Sequence, residues 1–162
     1  MIRVSLFVIL AAAAPAVAQA PESPSAFVKM AGASDLYEMQ SSQAVLKTTK
    51  NPAVRKYAQT MIKDHGKTTA SVMAAAKAAK LPMTPPALDS EKAAMIQQLN
   101  GTTGTARDSL YLTQQAMAHR QALALHQGYS ADGSQPALKA AATKAVPIVQ
   151  HHIMMIDQIK AR

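Results

Sequence analysis

The chain of 162 residues contains no cysteine, no tryptophan and only two phenylalanines. Without cysteine, disulfides, thiolate metal sites and cysteine nucleophiles are all excluded, so a metal ion would have to be held by histidine, methionine or carboxylate side chains. The sequence also has no glycine-rich phosphate loop, zinc-protease pattern or nucleophile beside a local base. Hydrolase classes that depend on those motifs therefore have no support.

Aromatic residues make up 4% of the chain, although its formal net charge is +8. The lysines and arginines are spread singly, without a dense basic run and without the aromatic interleaving of nucleic-acid modules. We therefore predict no nucleic-acid partner. The basic surface is expected to be solvated, with at most weak contact to anionic components of the cell envelope.

One apolar run is present, at residues 4–14, after Arg3 and before the small-residue triplet Ala18-Gln19-Ala20. This order of a basic start, a short apolar run and a small-x-small triplet is typical of a signal peptide, predicted here at residues 1–20. The run is about half the ~20 residues of a membrane-spanning helix. We expect the mature chain, from residue 21, to be periplasmic or secreted and to have no transmembrane segment.

Proline and glycine divide residues 21–162, which we predict to form a single domain, into long helical segments with no strand pattern. For example, Asn51-Pro52 disfavours helix before the proline and allows Pro52 to open the next helix. The predicted helices span residues 25–50, 52–80, 105–129 and 135–161, with a short helix at 89–100. The predicted fold is all-α: a four-helix bundle with a short crossover helix between its helix pairs. The pattern does not define an oligomeric state.

Each long helix places at least one ionisable or polar side chain on or beside its apolar stripe. These residues are Glu38, Asp64, His65, Asp108, Tyr111, Gln115, His119, His151 and His152. An ionisable group is costly to bury alone, so inward-facing members must pair with one another, with water or with a metal ion. Spacing by itself does not choose among these partners.

A metal site of Glu38, His65, His119 and His152, with one ligand from each long helix, is the first hypothesis. Three imidazoles and a carboxylate suit a borderline divalent ion such as zinc, iron or copper. Alternatively, the histidines are neutral imidazoles that hydrogen-bond across the bundle. Asp64, Asp108, Tyr111 and His151 are expected nearby.

Two further patterns have open interpretations. The first, on the third long helix, is the series Asp108, Tyr111, Gln115 and His119, which is either a hydrogen-bonded network that sets helix register or the wall of a ligand or proton-relay site. The second comprises His151, Met154 and Met155, which offer a soft copper site. Ten methionines dispersed through the chain favour general core filling instead, and His126 is expected at a helix edge.

Several motifs together resemble the domain of unknown function 4142 family. They are Phe27-Val28 with Ala31 and Glu38, Val54-x-x-Tyr57-Ala58-Gln59-x-Met61-x-x-Asp64-His65, Asp108-x-x-Tyr111 with His119, and Pro147 with His152. The resemblance covers nearly the whole mature chain. It implies an exported bacterial protein with a ferritin-like helical bundle, and it implies no established activity.

Ferritin-like di-iron proteins use a Glu-x-x-His motif on each of two helices. Here Ile62 precedes His65 by three residues and Val149 precedes His152 by three, so the bridging carboxylates of that pattern are missing. A mononuclear histidine-rich site, or no metal site, fits the chain better than a di-iron centre. The functional hypothesis is a non-enzymatic binding or stress-related envelope protein. The alternatives are a metal-dependent redox enzyme and a purely structural or interaction module.

Overall fold

The computed structural model describes residues 23–161, which form five α-helices and contain no strand. The helices are α1 (Pro24–Leu46), α2 (Pro52–Ala78), α3 (Ser90–Asn100), α4 (Gly104–Asp132) and α5 (Pro136–Lys160). The prediction of an all-helical chain is confirmed. The predicted signal peptide lies outside the described residues. Among the helices that are described, none is long and apolar enough to cross a membrane.

The helix ends follow local side-chain chemistry. Ser23 and Asn51 cap α1 and α2 by accepting hydrogen bonds from backbone N–H groups of the first turn, and Asp89 caps α3 by accepting from the N–H of Lys92. Helix α1 ends at Leu46, four residues before the predicted end. The reason is tertiary as well as local, because the Thr49 hydroxyl donates to Asp108 on α4 and accepts from the N–H of Asn51.

The four long helices contact one another in a cycle, α1 with α2, α2 with α5, α5 with α4 and α4 with α1, while α3 packs against α1 and α4. Their interior has an apolar cluster at each end. One cluster includes Tyr57, Met61 and Ile156, and the other includes Phe27 and Leu138. Each long helix has a buried carboxylate or histidine between the residues that it contributes to the two clusters: Asp35 and Glu38 on α1, His65 on α2, His119 on α4 and His152 on α5. A polar layer therefore interrupts the core.

Lys80, just beyond α2, has the only positive φ angle of a described non-glycine residue, +55°. The N–H of Leu81 bonds back to the carbonyl of Ala76, the arrangement that usually places glycine at this left-handed position. We expect Lys80→Gly to raise the free energy of unfolding by about 0.5–1 kcal/mol, because glycine adopts this conformation without a Cβ clash.

Urea denaturation would measure the change. Lys77→Gly is the matched control: it removes the same side chain inside the last turn of α2, where glycine is expected to cost about 0.5–1 kcal/mol. A loss of stability in both variants would contradict the strain assigned to Lys80.

Candidate metal centre

Three histidines from three helices meet in the polar layer. His65 on α2, His119 on α4 and His152 on α5 each offer a ring nitrogen within 4.8 Å of those of the other two. All three residues are at most 2% exposed, and their ring centroids are 5.2–5.4 Å apart. We call this group the histidine triad.

The outer nitrogen of each ring lies beside an oxygen acceptor, which favours the tautomer that carries the proton on that nitrogen. The Nδ1–H of His65 donates to Asp35 Oδ1 over 2.8 Å, and the Nδ1–H of His119 donates to the carbonyl oxygen of Gln115 over 3.0 Å. The Nε2 of His152 lies 3.4 Å from Asp64 Oδ2. A carbonyl or carboxylate oxygen accepts hydrogen bonds, so in that tautomer the opposite nitrogen of each neutral ring holds a lone pair.

The inner nitrogens of two rings face each other. His119 Nε2 and His152 Nδ1 are 3.2 Å apart, a distance that suits a shared proton between the two rings or two bonds to one metal ion. His65 Nε2, the third inner nitrogen, is buried and has no hydrogen-bond partner among the described residues. Ligating histidines usually have this arrangement, in which an oxygen orients the outer N–H and the inner lone pair is left for the metal.

Burial keeps two rings of the triad in the neutral, ligating form. It lowers the pKa of His119 well below its usual value, helped by repulsion from the neighbouring imidazoles, and it lowers the pKa of His152 to about 4. For His65, burial also acts to lower the pKa, but the hydrogen bond to Asp35 and the charge of Glu38 outweigh it, and the net direction is upward. The triad therefore lies in a field of negative carboxylates.

Glu38 lies on the other side of His119. Its Oε1 is 3.4 Å from Nδ1 of His119, the nitrogen that does not face His152, and Glu38 is not part of the triad. The residue is fully buried, neither carboxylate oxygen has a hydrogen-bond partner among the described residues, and burial raises the pKa of Glu38 to about 7. Such a carboxylate would be stabilised by a cation in the triad.

Asp35 is the site residue that sequence reasoning missed. It is 3% exposed and accepts hydrogen bonds from His65, Thr68 and Thr69. A signal was available, because Asp35 and Glu38 are three residues apart and hence on one helix face, and aspartate disfavours helix interiors unless it has a partner. The partner is supplied by α2.

The other predicted residues divide into those beside the triad and those away from it. Asp64 contacts His152, with its side chain 26% exposed. His151 is exposed, its ring centroid 6.4 Å from that of His152. Met154 is 54% exposed, while Met155 packs against the apolar cluster of Tyr57 and Ile156. The two methionines therefore do not join the triad.

The series Asp108, Tyr111, Gln115 and His119 is buried along α4. Asp108 accepts from Thr49, Tyr111 shares a hydrogen bond with Ser42, and Gln115 binds both Ser41 and Tyr57. Of these four side chains, His119 is the one in the triad. The others connect α4 to α1, to α2 and, through Thr49, to the loop between them, as a network that sets helix register would do.

His126 is not at a helix edge, and that prediction is wrong. The residue is 3% exposed, its ring packs edge-on against Phe27 at a centroid distance of 5.6 Å, and burial lowers the pKa of its imidazole. Helix α4 extends to Asp132, beyond the predicted end at residue 129, so His126 lies within the packed part of the helix.

The comparisons with known proteins concern fold and family. The chain resembles a crystal structure of a Streptomyces coelicolor protein described as a secreted DUF305 protein, with a TM-score of 0.71 and 17% identity over 85% of this chain and 90% of the other. At that identity the likeness shows the fold. Among proteins with curated descriptions, none matches the sequence.

The family model of the domain of unknown function DUF4142 matches residues 10–159. That range includes every residue of the polar layer described above, and it agrees with the resemblance in the Asp64-His65, Asp108-x-x-Tyr111 and Pro147/His152 motifs. The chain belongs to the DUF4142 family.

Proposed function

We propose that the protein binds one borderline divalent metal ion, zinc, iron or copper, at His65, His119 and His152. The observation that carries the proposal is the approach of His119 Nε2 and His152 Nδ1 to 3.2 Å, while the other nitrogen of each ring lies beside an oxygen acceptor. In the metal-free chain a proton on one of these nitrogens would join the two rings by a hydrogen bond, and a bound divalent ion would take the place of that proton. Two nitrogens on a tetrahedral zinc with Zn–N bonds of about 2.0–2.1 Å would be about 3.3 Å apart.

The surroundings also fit a cation. His65 Nε2 is a buried nitrogen without a partner, and both oxygens of Glu38 are buried acceptors without a donor. Native proteins rarely leave such groups unsatisfied. A divalent ion would use the lone pair of His65 and offset the buried negative charge of Glu38 and Asp35.

The proposed role is binding rather than catalysis. The three imidazoles are at most 2% exposed, so an ion held there would be sealed from any substrate larger than a small diatomic or water molecule. When bound, the ion would act as a Lewis acid or redox centre according to its identity. The chain's own residues orient the three rings and exclude bulk water.

The finer points of fold and location belong to the same proposal. The cycle of contacts among four long helices supports a four-helix bundle of ferritin-like type with α3 as the crossover helix. The missing Glu-x-x-His motifs favour a mononuclear centre on that scaffold. Export is supported by the signal-like pattern of residues 1–20 and by the description of the Streptomyces coelicolor protein as secreted.

Metal analysis of the untagged mature protein tests the function. We expect one equivalent of metal per chain, either retained on purification or taken up in a titration with zinc, Fe(II) or Cu(II), and an increase in Tm on binding. A variant with His119→Gln and His152→Gln should remain helical by circular dichroism and take up none. His151→Gln changes the adjacent exposed histidine and should bind like the wild type.

Wild-type protein that neither takes up nor is stabilised by any of the three metals would overturn the proposal. The histidines would then be core residues that join the helices, as in a structural module. Turnover of an oxidisable substrate by the loaded protein would instead favour the redox-enzyme alternative.

A further inference from the structure

The groups that contact the triad differ sharply in their access to solvent. Glu38 is fully buried and the Asp35 side chain is 4% exposed, whereas the Asp64 side chain is 26% exposed. Of these three carboxylates, Asp64 is thus the one that contacts both the triad and solvent. It lies where α2 and α5 meet, and His152 on α5 contacts it directly.

The ring of His152 connects the surface to the interior. Its Nδ1 points to His119 and its Nε2 to Asp64. The neighbouring His151 is exposed on the same helix. Asp64 and His151 therefore each lie beside His152 and are more exposed than it is, and carboxylate and imidazole are ligand types that borderline divalent ions accept.

The α2–α5 contact also contains a cavity, whose lining does not include Asp64, His151 or His152. The cavity, of about 200 Å³, is lined by Lys67, Thr68 and Ser71 of α2 and by Ala141, Lys144, Ala145 and Ile148 of α5. Thr68 also donates a hydrogen bond to Asp35, the carboxylate that orients His65. The two lysines of the lining disfavour a divalent cation in the cavity itself, which leaves the Asp64 side of the α2–α5 contact for its entry. Pro147, within α5, cannot donate the backbone hydrogen bond that would hold this turn of the helix.

The Asp64 contacts are long enough to be exchangeable. Asp64 Oδ2 is 3.4 Å from His152 Nε2, and its Oδ1 is 3.8 Å from Nζ of Lys67, a lysine that is itself 68% exposed. By comparison, Asp35 holds His65 at 2.8 Å and two threonines at 2.9 Å. Asp35 orients its histidine firmly, whereas Asp64 is free to leave His152 and meet an ion from solvent.

We infer that Asp64 and His151 form an outer acceptance site for divalent metal ions, through which ions pass between solvent and the triad by way of His152. This inference rests on the proposed function of the triad. Such a site lowers the barrier for entry and for exit alike, so it changes rates without determining the affinity. A residue that only oriented His152 would change the affinity through the exit rate.

Stopped-flow kinetics with Co(II), whose visible absorption reports its ligands, tests the inference on the full mature chain. Removing both outer groups with Asp64→Asn and His151→Gln is expected to slow uptake at least tenfold and to slow release to EDTA by a similar factor. Asparagine keeps an oxygen that can accept the one hydrogen bond from His152 Nε2, so the equilibrium Kd should stay within about threefold of wild type. Asp157→Asn, which removes an exposed carboxylate of α5 outside this contact, should leave both rates unchanged.

Three results would overturn the inference, and they differ from one another. Unchanged rates in the double variant would show that ions take another path while the triad still binds them. Faster release with unchanged uptake would make Asp64 a positioning residue for His152 alone. A wild-type chain that binds no cobalt or zinc at equilibrium would overturn the proposed function, and the outer site with it.

Discussion

Replacing Glu38 by glutamine is expected to stabilise the metal-free protein by about 3 kcal/mol at pH 8 and by less than about 1 kcal/mol at pH 5. Burial raises the pKa of Glu38 from 4.5 to about 7, and each pKa unit corresponds to about 1.4 kcal/mol. Between about pH 4.5 and pH 7 the carboxyl of Glu38 has lost its proton in the unfolded chain but retains it in the folded chain. Stability therefore falls as pH rises through this window, and above about pH 7 the loss is complete.

Glutamine has the shape of the protonated acid and cannot ionise, so the difference between variant and wild type reports the Glu38 carboxyl together with its charge interaction with His65. The comparison with the variant is needed because His152 also makes stability depend on pH. Burial lowers the pKa of His152 to about 4, so both proteins lose stability as the pH falls below about 6.5.

Urea denaturation in EDTA at several pH values between 5 and 8.5 would provide the free energies of unfolding. Glu91→Gln, at an exposed glutamate of α3, should change stability by no more than about 0.5 kcal/mol throughout. A Glu38→Gln difference that did not grow with pH would show that the carboxylate is paired.

Replacing Asp35 by asparagine is expected to destabilise the metal-free protein by about 2–3 kcal/mol and to weaken metal binding by about 10–100-fold. The carboxylate accepts three hydrogen bonds, from His65, Thr68 and Thr69. An amide offers one acceptor oxygen and turns its other end into a donor, so at least one buried donor loses its partner, a defect that costs about 1–3 kcal/mol. The metal affinity falls because partners of this kind orient the ligating histidine and raise its basicity.

Urea denaturation in EDTA would measure the first effect, and competition with a chromophoric zinc chelator the second. Asp132→Asn, at an exposed aspartate near the end of α4, is the matched control and should leave both quantities unchanged. Unaltered zinc affinity in a folded Asp35→Asn protein would mean that His65 is not a ligand, and the triad would then reduce to His119 and His152.

The same chemistry that made the helices predictable left the site underdetermined. Apolar periodicity, with Asn51-Pro52 between α1 and α2, indicated an all-helical chain because these signals act within a few residues. His65, His119 and His152 were recognised as residues on apolar stripes for the same reason. Their approach within 4.8 Å joins positions separated by 33 to 87 residues of chain, and spacing within one helix carries no information on such distances.

The cases of Glu38 and Asp35 show where local reasoning stops. Both lie on one face of α1, and the sequence favoured Glu38 as the fourth ligand because each of the other helices supplied one histidine. In the folded chain Asp35 is the α1 carboxylate that contacts a triad histidine most closely, at 2.8 Å from His65 Nδ1. Glu38 faces Nδ1 of His119, the nitrogen on the side away from His152. A rotation of α1 by a fraction of a turn would exchange these roles, and that rotation is set by packing against α2 and α4.

Sequence alone thus determined what depends on neighbouring residues: the helical class, the chemistry excluded by the lack of cysteine, the signal-like start and the position of the three triad histidines on apolar stripes. Tertiary structure decided that His126 is buried as well, which side chains meet, which nitrogen of each imidazole faces the triad and which carboxylate reaches solvent. The physical reason is that hydrogen bonds and desolvation act over a few ångströms in space. Helix packing brings distant segments of the chain within that distance, by means of many small contacts.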